Sequence, residues 1–243
     1  MSTTNMRIWE QVQTTDTRYT KNAEVGGQKI TSLNGTAMVM KATEMFGPVG
    51  IGWGWKVLEE RFDDGHEVFA GEGDKRISLG REIGHTVKIQ LWFMQEGQRG
   101  EVEQYGCTRY QYKTKYGMTT DGEAPKKSLT DAIKKALSML GFSADVFLGM
   151  FDDVNYVQQL QAEQAIEQAE DRQAEIERQQ EERLNYIKDT IATMQKAVTP
   201  HERKKIHDHA VRKLIGRKDE KGAARISLEL KNLEAGKPQE AAA

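Results

Sequence analysis

Apolar and polar positions alternate with a period of two through residues 85–95, where Val87, Ile89, Leu91 and Phe93 stand against Lys88 and Gln90. That alternation gives a strand one apolar and one polar face. Residues 101–112 read as a second strand and residues 51–62 as a third of unusual kind. In Gly47-Pro48-Val49-Gly50-Ile51-Gly52-Trp53-Gly54-Trp55, glycine alternates with large apolar residues. A strand there lines one face with Ile51, Trp53, Trp55 and Val57 and leaves the Gly50, Gly52 and Gly54 face nearly bare. Glycine weakens a strand, so the bare face predicts a close neighbour: a packed helix or a ligand chain.

Helical periods flank these strands. Residues 36–46 follow a turn signal at Asn34-Gly35 and are apolar around most of their circumference. They predict a helix buried on more than one side and ended by Gly47 and Pro48. Leu129, Ile133, Ala136, Leu137 and Leu140 share one face of a later helix, which Ser128 would cap, with Asp131 three residues on. Lys126 and Lys127 stand just before that helix, and Lys134 and Lys135 on its polar side. The order helix, meander, helix predicts an α+β fold with an antiparallel sheet packed with helices.

Beyond Tyr156 the only aromatic ring of Phe, Tyr or Trp is Tyr186, and no glycine lies between Gly149 and Gly216. Residues 1–156 therefore read as the globular domain. Residues 157–183 read as a polar helical linker, since Leu160, Ile166 and Ile176 are too sparse for a core stripe. A small helical unit is expected at 184–235 and a flexible tail at 236–243. Within the unit, Leu184, Ile187, Ile191 and Met194 recur at helical spacing. Thr199-Pro200-His201-Glu202 has the form of a capping box with proline at the first helical position. Gly216 suits a C-terminal cap, and Ile226, Leu228 and Leu230 mark a third helix.

Composition narrows the function classes. The chain has 243 residues, 30% of them charged and 37% hydrophobic, the balance of an ordinary water-soluble chain. No apolar run approaches the roughly 20 residues of a membrane span, and MSTTNMRIWEQ lacks the apolar core of a signal peptide. Cys107 is the only cysteine, which excludes a disulfide framework and a cysteine-based zinc site. A cytoplasmic location is the expectation. The net charge of −2 argues against a chain coated with basic residues and leaves room for a local basic groove. Residues 109–117, RYQYKTKYG, interleave cations with Tyr110, Tyr112 and Tyr116. Cations neutralise phosphates, and aromatic rings stack on unpaired bases without regard to sequence. The bland alternative is that the lysines are solvated and the tyrosines pack.

The order of segments carries a resemblance. TKNAEVGGQKITSLNGTAMVMKATEMFGPVGIGWGW, followed after an interval by APKKSLTDAIKKALSMLGFSADVFLG, resembles the single-strand annealing proteins of the Rad fifty-two superfamily, and among them the phage-encoded, Sak-like branch. The matching motifs are Gly26-Gly27-Gln28-Lys29, Glu44-Met45-Phe46-Gly47, and Thr130-Asp131-Ala132-Ile133-Lys134-Lys135-Ala136-Leu137. The similarity spans about residues 15–153. It implies a binding protein rather than an enzyme, one that coats single-stranded DNA and anneals complementary strands without ATP in recombination and repair. It further implies a ring or helical filament of identical subunits, DNA in a groove between two lobes of each, and no cofactor or metal. By position, Lys134 and Lys135 match the family's groove helix, Lys115 an upstream groove position, and Lys29 the lysine after the glycine pair. The basic residue before that pair falls on Asn22, with Lys21 beside it as the substitute. A further basic position is Ser138 here, which implies weaker backbone contact or a different strand path. The candidate DNA-binding set is thus Lys21, Lys29, Lys115, Lys126, Lys127, Lys134 and Lys135, with Tyr110, Tyr112 and Tyr116 for base stacking.

No GxxxxGK[ST] loop is present, which disfavours ATP-driven recombination of the P-loop kind. Two rivals stay open: a metal-dependent nuclease using Asp63-Asp64 and Asp152-Asp153, and an oligomeric scaffold that binds no DNA. His207 and His209 are two apart on a helix and make a poor metal pair. The expected second helix of the C-terminal unit is basic, through Arg203, Lys204, Lys205, Arg212, Lys213, Arg217 and Lys218. It predicts recruitment of a partner, the acidic tail of a host single-strand-binding protein or a partner exonuclease; duplex DNA and plain solubility are the other readings.

Overall fold

The alternation at 85–95 forms the centre of a curled antiparallel sheet in an α+β fold. The computed structural model describes residues 4–25, 27–71 and 73–236. In chain order, α1 (Arg7–Val12) leads to a two-stranded ribbon, β1 (Thr20–Val25) and β2 (Gln28–Leu33). Helix α2 (Gly35–Phe46) follows, then β3 (Trp53–Ala70), β4 (Ile77–Gln95), β5 (Gln98–Thr114) and β6 (Gly117–Thr120), paired in that order. Helices α3 (Ala124–Met139) and α4 (Ala144–Phe147) complete this unit, Met1–Leu148.

Val87, Ile89, Leu91 and Phe93 on β4 are buried against Ala132, Ile133, Ala136 and Leu137 on α3, and Met38, Ala42 and Phe46 bring α2 into the same core. Met40 stays 45% exposed, so α2 is buried on fewer sides than its composition predicts. Gly106 of β5 is what lets α3 come so near. A Cβ there would lie 1.9 Å from the Ser128 carbonyl oxygen and 2.6 Å from the Ala132 nitrogen. Ser128 does not cap α3. The helix begins a turn earlier with Pro125 in its first turn, and Ser128 is fully buried with its hydroxyl donating to the His85 carbonyl at 3.1 Å. Lys126 and Lys127 are therefore inside the helix.

The strands run well past their expected ends. In β3 and β4 the added residues are mostly exposed, and register shifts between Val57 and Glu59 and between Asp64 and Glu67 break the period. Asp63 and Asp64, expected in a turn, pair with Gly84 and Ile83 in the ladder. The glycine passage resolves into three separate roles. Gly50 has φ +86° and belongs to a turn, and Ile51 is 76% exposed rather than facing the core. At Gly52 a Cβ would meet the Phe46 carbonyl oxygen at 1.8 Å, so the end of α2 sits against it. At Gly54 a Cβ would meet the Trp92 indole at 3.2 Å, so a side chain from the next strand fills the bare face. Trp53 is fully buried, as expected of the heavy face.

The second unit is Gly149–Ala243, so the division falls before 156. Its helices are α5 (Val154–Gln168), α6 (Arg172–Lys196), α7 (Pro200–Gly216) and α8 (Glu220–Ala235). The expected linker is two helices. The helix is interrupted at residues 169–171, and Asp171 caps α6 by accepting from Ala174 N at 3.0 Å. It packs within the unit too: Leu160 is buried, and Gln179 donates to the Ala162 carbonyl at 3.1 Å. The core is Ile187, Met194, Ala210, Leu214, Ala223 and Ile226. Thr199 accepts from Glu202 N at 3.1 Å, as its capping box predicts. Gly216 is not the left-handed cap. A Cβ there would meet Asn155 at 2.3 Å, and Lys218, with φ +56°, takes the left-handed position. Gly26 and all of the expected tail except Gly236 lie outside the described residues.

Asp219 caps α8 by accepting from Gly222 N at 2.9 Å and forms a two-pronged ion pair with Arg183 of α6 at 2.5 and 2.8 Å. The Arg183 hydrogen bond, helped by the Gly222 N–H, holds the Asp219 carboxyl below its ordinary value against the opposing effect of burial. A carboxylate whose pKa is lower folded than unfolded adds stability above the unfolded value, about 4, and loses it as the pH falls through the folded value. Asp219→Ala should cost roughly 1 kcal/mol at pH 7 through the lost cap alone. Thermal melts from pH 6 down to 2 should show that gap between wild type and variant closing with acid; a constant gap would contradict the assignment.

Candidate nucleic-acid interface

Sequence-distant motifs meet where α2 begins. Asn34, at the end of the ribbon, accepts from the Thr36 and Ala37 nitrogens and starts the helix. A Cβ on Gly35 would meet the Thr130 methyl at 2.6 Å and the Lys134 Cδ at 3.9 Å. The glycine thus allows α3 to cross the first turn of α2, and it lays the Lys134 stem there. A depression of about 160 Å³ lies beside it, lined by Gly35, Thr36, Val39, Thr130 and Ile133. A helix N-terminus carries partial positive charge, and Lys134 adds a full one. Among the described residues no carboxylate forms an ion pair with Lys134.

The other α3 lysines are held by neighbours. Lys126 pairs with Glu123 at 2.9 Å, Lys127 with Asp121 at 2.5 Å, and Lys135 with Asp131 at 2.9 Å. The Asp121 hydrogen bond raises the Lys127 ammonium above its ordinary value, and the same contact lowers Asp121. Lys134 and Lys135 are adjacent in sequence yet about 100° apart around the helix. Lys134 goes to α2. Lys135 stands by Asp131, which also accepts from the Cys107 N–H of β5 at 3.4 Å.

The ribbon separates two further candidates. Lys29 is paired with Glu24, Asn22 with Thr31, and Thr20 with Leu33. Opposed residues share a face, so Lys29 and Asn22 lie on the face that enters the core at Leu33. Lys21, paired with Ser32, lies on the other face. It is therefore no substitute in space for the Asn22 position: a one-residue step along a strand reverses the side.

Lys115 sits in the β5–β6 turn with its ammonium 4.9 Å from the centre of the Tyr116 ring, which is 87% exposed. Of the three tyrosines, Tyr116 is the one that offers an open face. Tyr110 meets Phe62 edge to face at 4.8 Å, and Arg109 lies 5.9 Å from the Tyr112 ring. Sequence reasoning missed Gly35 and Thr130, which position Lys134. A glycine in the first turn of a helix was the signal for that close approach.

One member of each carboxylate pair has a local partner. Asp63 accepts from the Thr86 hydroxyl at 2.6 Å and from Arg61 at 2.7 Å. Asp153 caps α5, in the other unit. No group of three or more His, Cys, Asp or Glu side chains that could hold a metal ion occurs among the described residues. Among those residues no helix is long and apolar enough to cross a membrane. No family model and no curated protein matches the chain.

Proposed function

We propose that the first unit binds single-stranded DNA and anneals complementary strands without ATP, as a homo-oligomeric ring or helical filament, in the cytoplasm of a bacterial host. The observation that carries this reading is the meeting of the two motif segments, where a lysine with no ion pair among the described residues lays its stem on a helix N-terminus. Annealing requires the phosphates to be held while base edges stay free, and contacts to the backbone position a strand without reading it. Base pairing then supplies specificity as the bound single strand becomes the annealed duplex intermediate, and no chemical step needs a catalyst.

Self-association is supported by the sheet edges. β3 is an edge strand, and β6 covers only Gln111–Thr114 of β5. Long open edges invite pairing with another chain. Val57, Leu58, Phe62 and Ile77 on β3 and β4 are between 42% and 68% exposed, so these strands leave apolar side chains in reach of another chain.

Titrating a labelled single strand with and without magnesium separates the readings. The proposal predicts saturable binding of intact strand that weakens with salt. Shortening of the strand on adding magnesium would favour a nuclease, and no binding at all would favour a scaffold.

A further inference from the structure

The second unit contains a cavity of about 550 Å³ between α6 and α7, within the size range of ligand pockets. Its walls are two helical stripes. Tyr186, Thr190 and Thr193 recur at helical spacing on α6, and Lys205, His209 and Lys213 recur every fourth residue on α7, with Arg212 beside them. Ile206 and Ala210 form an apolar floor. Tyr186, the sole ring of Phe, Tyr or Trp after Tyr156, lies in this wall with the Lys213 ammonium 4.4 Å from its centre. Arg203 donates to the Ala197 carbonyl and Arg212 to the Asp208 carbonyl, each at 3.1 Å, and Arg217, just past α7, donates to the Gln158 side-chain oxygen at 3.0 Å. Lys205, Arg212 and Lys213 place three positive charges on a concave, partly apolar surface, against one lining carboxylate, Asp189.

We propose that this cavity binds an acidic peptide segment carrying an aromatic side chain, the ring set against Tyr186 and Ile206 and the flanking carboxylates against Lys205, Arg212 and Lys213. The inference does not rest on DNA binding by the first unit. Charge complementarity selects the partner and speeds encounter, and a buried aromatic anchor within a charged rim is the usual form of a binding hot spot. Duplex DNA fits less well. Its backbone presents a continuous row of phosphates, whereas the cavity is partly apolar and includes the Asp189 carboxylate.

The test uses the full chain and a fluorescein-labelled peptide, Gly-Asp-Asp-Asp-Phe-Asp-Asp-Gly, followed by anisotropy at low and moderate salt. Binding is expected, weakened at least tenfold by replacing phenylalanine with serine in the peptide and at least tenfold by the double variant Lys205→Glu, Lys213→Glu. The variant Lys196→Glu, Lys221→Glu, which makes the same charge change outside the cavity, should bind the peptide within about twofold of wild type, as expected for exposed charges remote from the contact. Circular dichroism melts of both variants establish that they fold. Single-strand binding by the Lys205, Lys213 variant should be unchanged, so failure here and failure of the annealing reading are separate results. The proposal is overturned if the peptide does not bind, if the two double variants weaken it equally, or if a 20-base-pair duplex is the ligand lost in the Lys205, Lys213 variant while the peptide is unaffected.

Discussion

Gly106→Ala should unfold or severely destabilise the first unit, although alanine at an unobstructed strand position would stabilise it by about 0.5–1 kcal/mol relative to glycine. The sign is decided by what the new methyl meets. It would lie 1.9 Å from the Ser128 carbonyl oxygen and 2.6 Å from the Ala132 nitrogen, both helix backbone that no rotamer change can move. Relief requires α3 to lift off β5, which would open the packing of Ala132, Ala136 and Leu137 on the sheet. Overpacking of this kind costs roughly 3 kcal/mol or more where backbone has to shift. In a unit of this size that is a fall of about 10 °C in melting temperature. Gly84→Ala is the control. Its nearest neighbour would be the Asp63 carbonyl oxygen at 4.0 Å, so its stability should match or slightly exceed wild type. Equal melting temperatures for the two variants would show that α3 does not rest on Gly106.

Lys134→Ala should have the largest effect of any single lysine on single-strand binding, and it should leave the fold intact. The side chain is half-buried by its stem at α2 and its ammonium has no acidic partner among the described residues, so its charge is free for a phosphate. Loss of one charge-assisted contact, about 1.5 kcal/mol, is roughly tenfold in affinity. The slope of log affinity against log salt should fall by about 0.7 for each phosphate contact removed. Lys135→Ala should weaken binding less, about two- to threefold, because Asp131 already balances its charge through a surface pair of small energy. Lys29→Ala should reduce the salt slope, and Lys21→Ala, on the opposite ribbon face, should not. Fluorescence titrations at three salt concentrations order the four variants. Equal losses for Lys21 and Lys134 would mean diffuse attraction rather than a groove.

Much of the first unit was legible in the sequence because its core strand is half-buried and alternates cleanly, as Val87, Ile89, Leu91 and Phe93 do. The long outer halves of β3 and β4 were not. Exposed on much of their surface and interrupted by register shifts, they carry no period to read. Ser128 looks like a cap because serine before an apolar run usually is one; here it is a small buried hydroxyl bonded to a neighbouring strand. Gly50, Gly52 and Gly54 promised one close neighbour and met three different surroundings, since a missing side chain says that space is needed and not what fills it. For the candidate site, helical spacing located Lys134 and Lys135 on a polar side. Only the packing of Gly35 against Thr130 separates their surroundings. The reversal between Lys21 and Asn22 follows from the two-residue period of any strand; which of them shares a face with Lys29 follows from register, which the hairpin sets.

The most direct measurement is the rate at which two complementary oligonucleotides, one carrying a fluorophore and the other a quencher, form duplex in the presence of the full chain with no nucleotide cofactor. The account predicts acceleration over spontaneous pairing that is lost with Lys134→Ala, unchanged by ATP, and absent for non-complementary strands. Binding of both strands with no acceleration of pairing would contradict it.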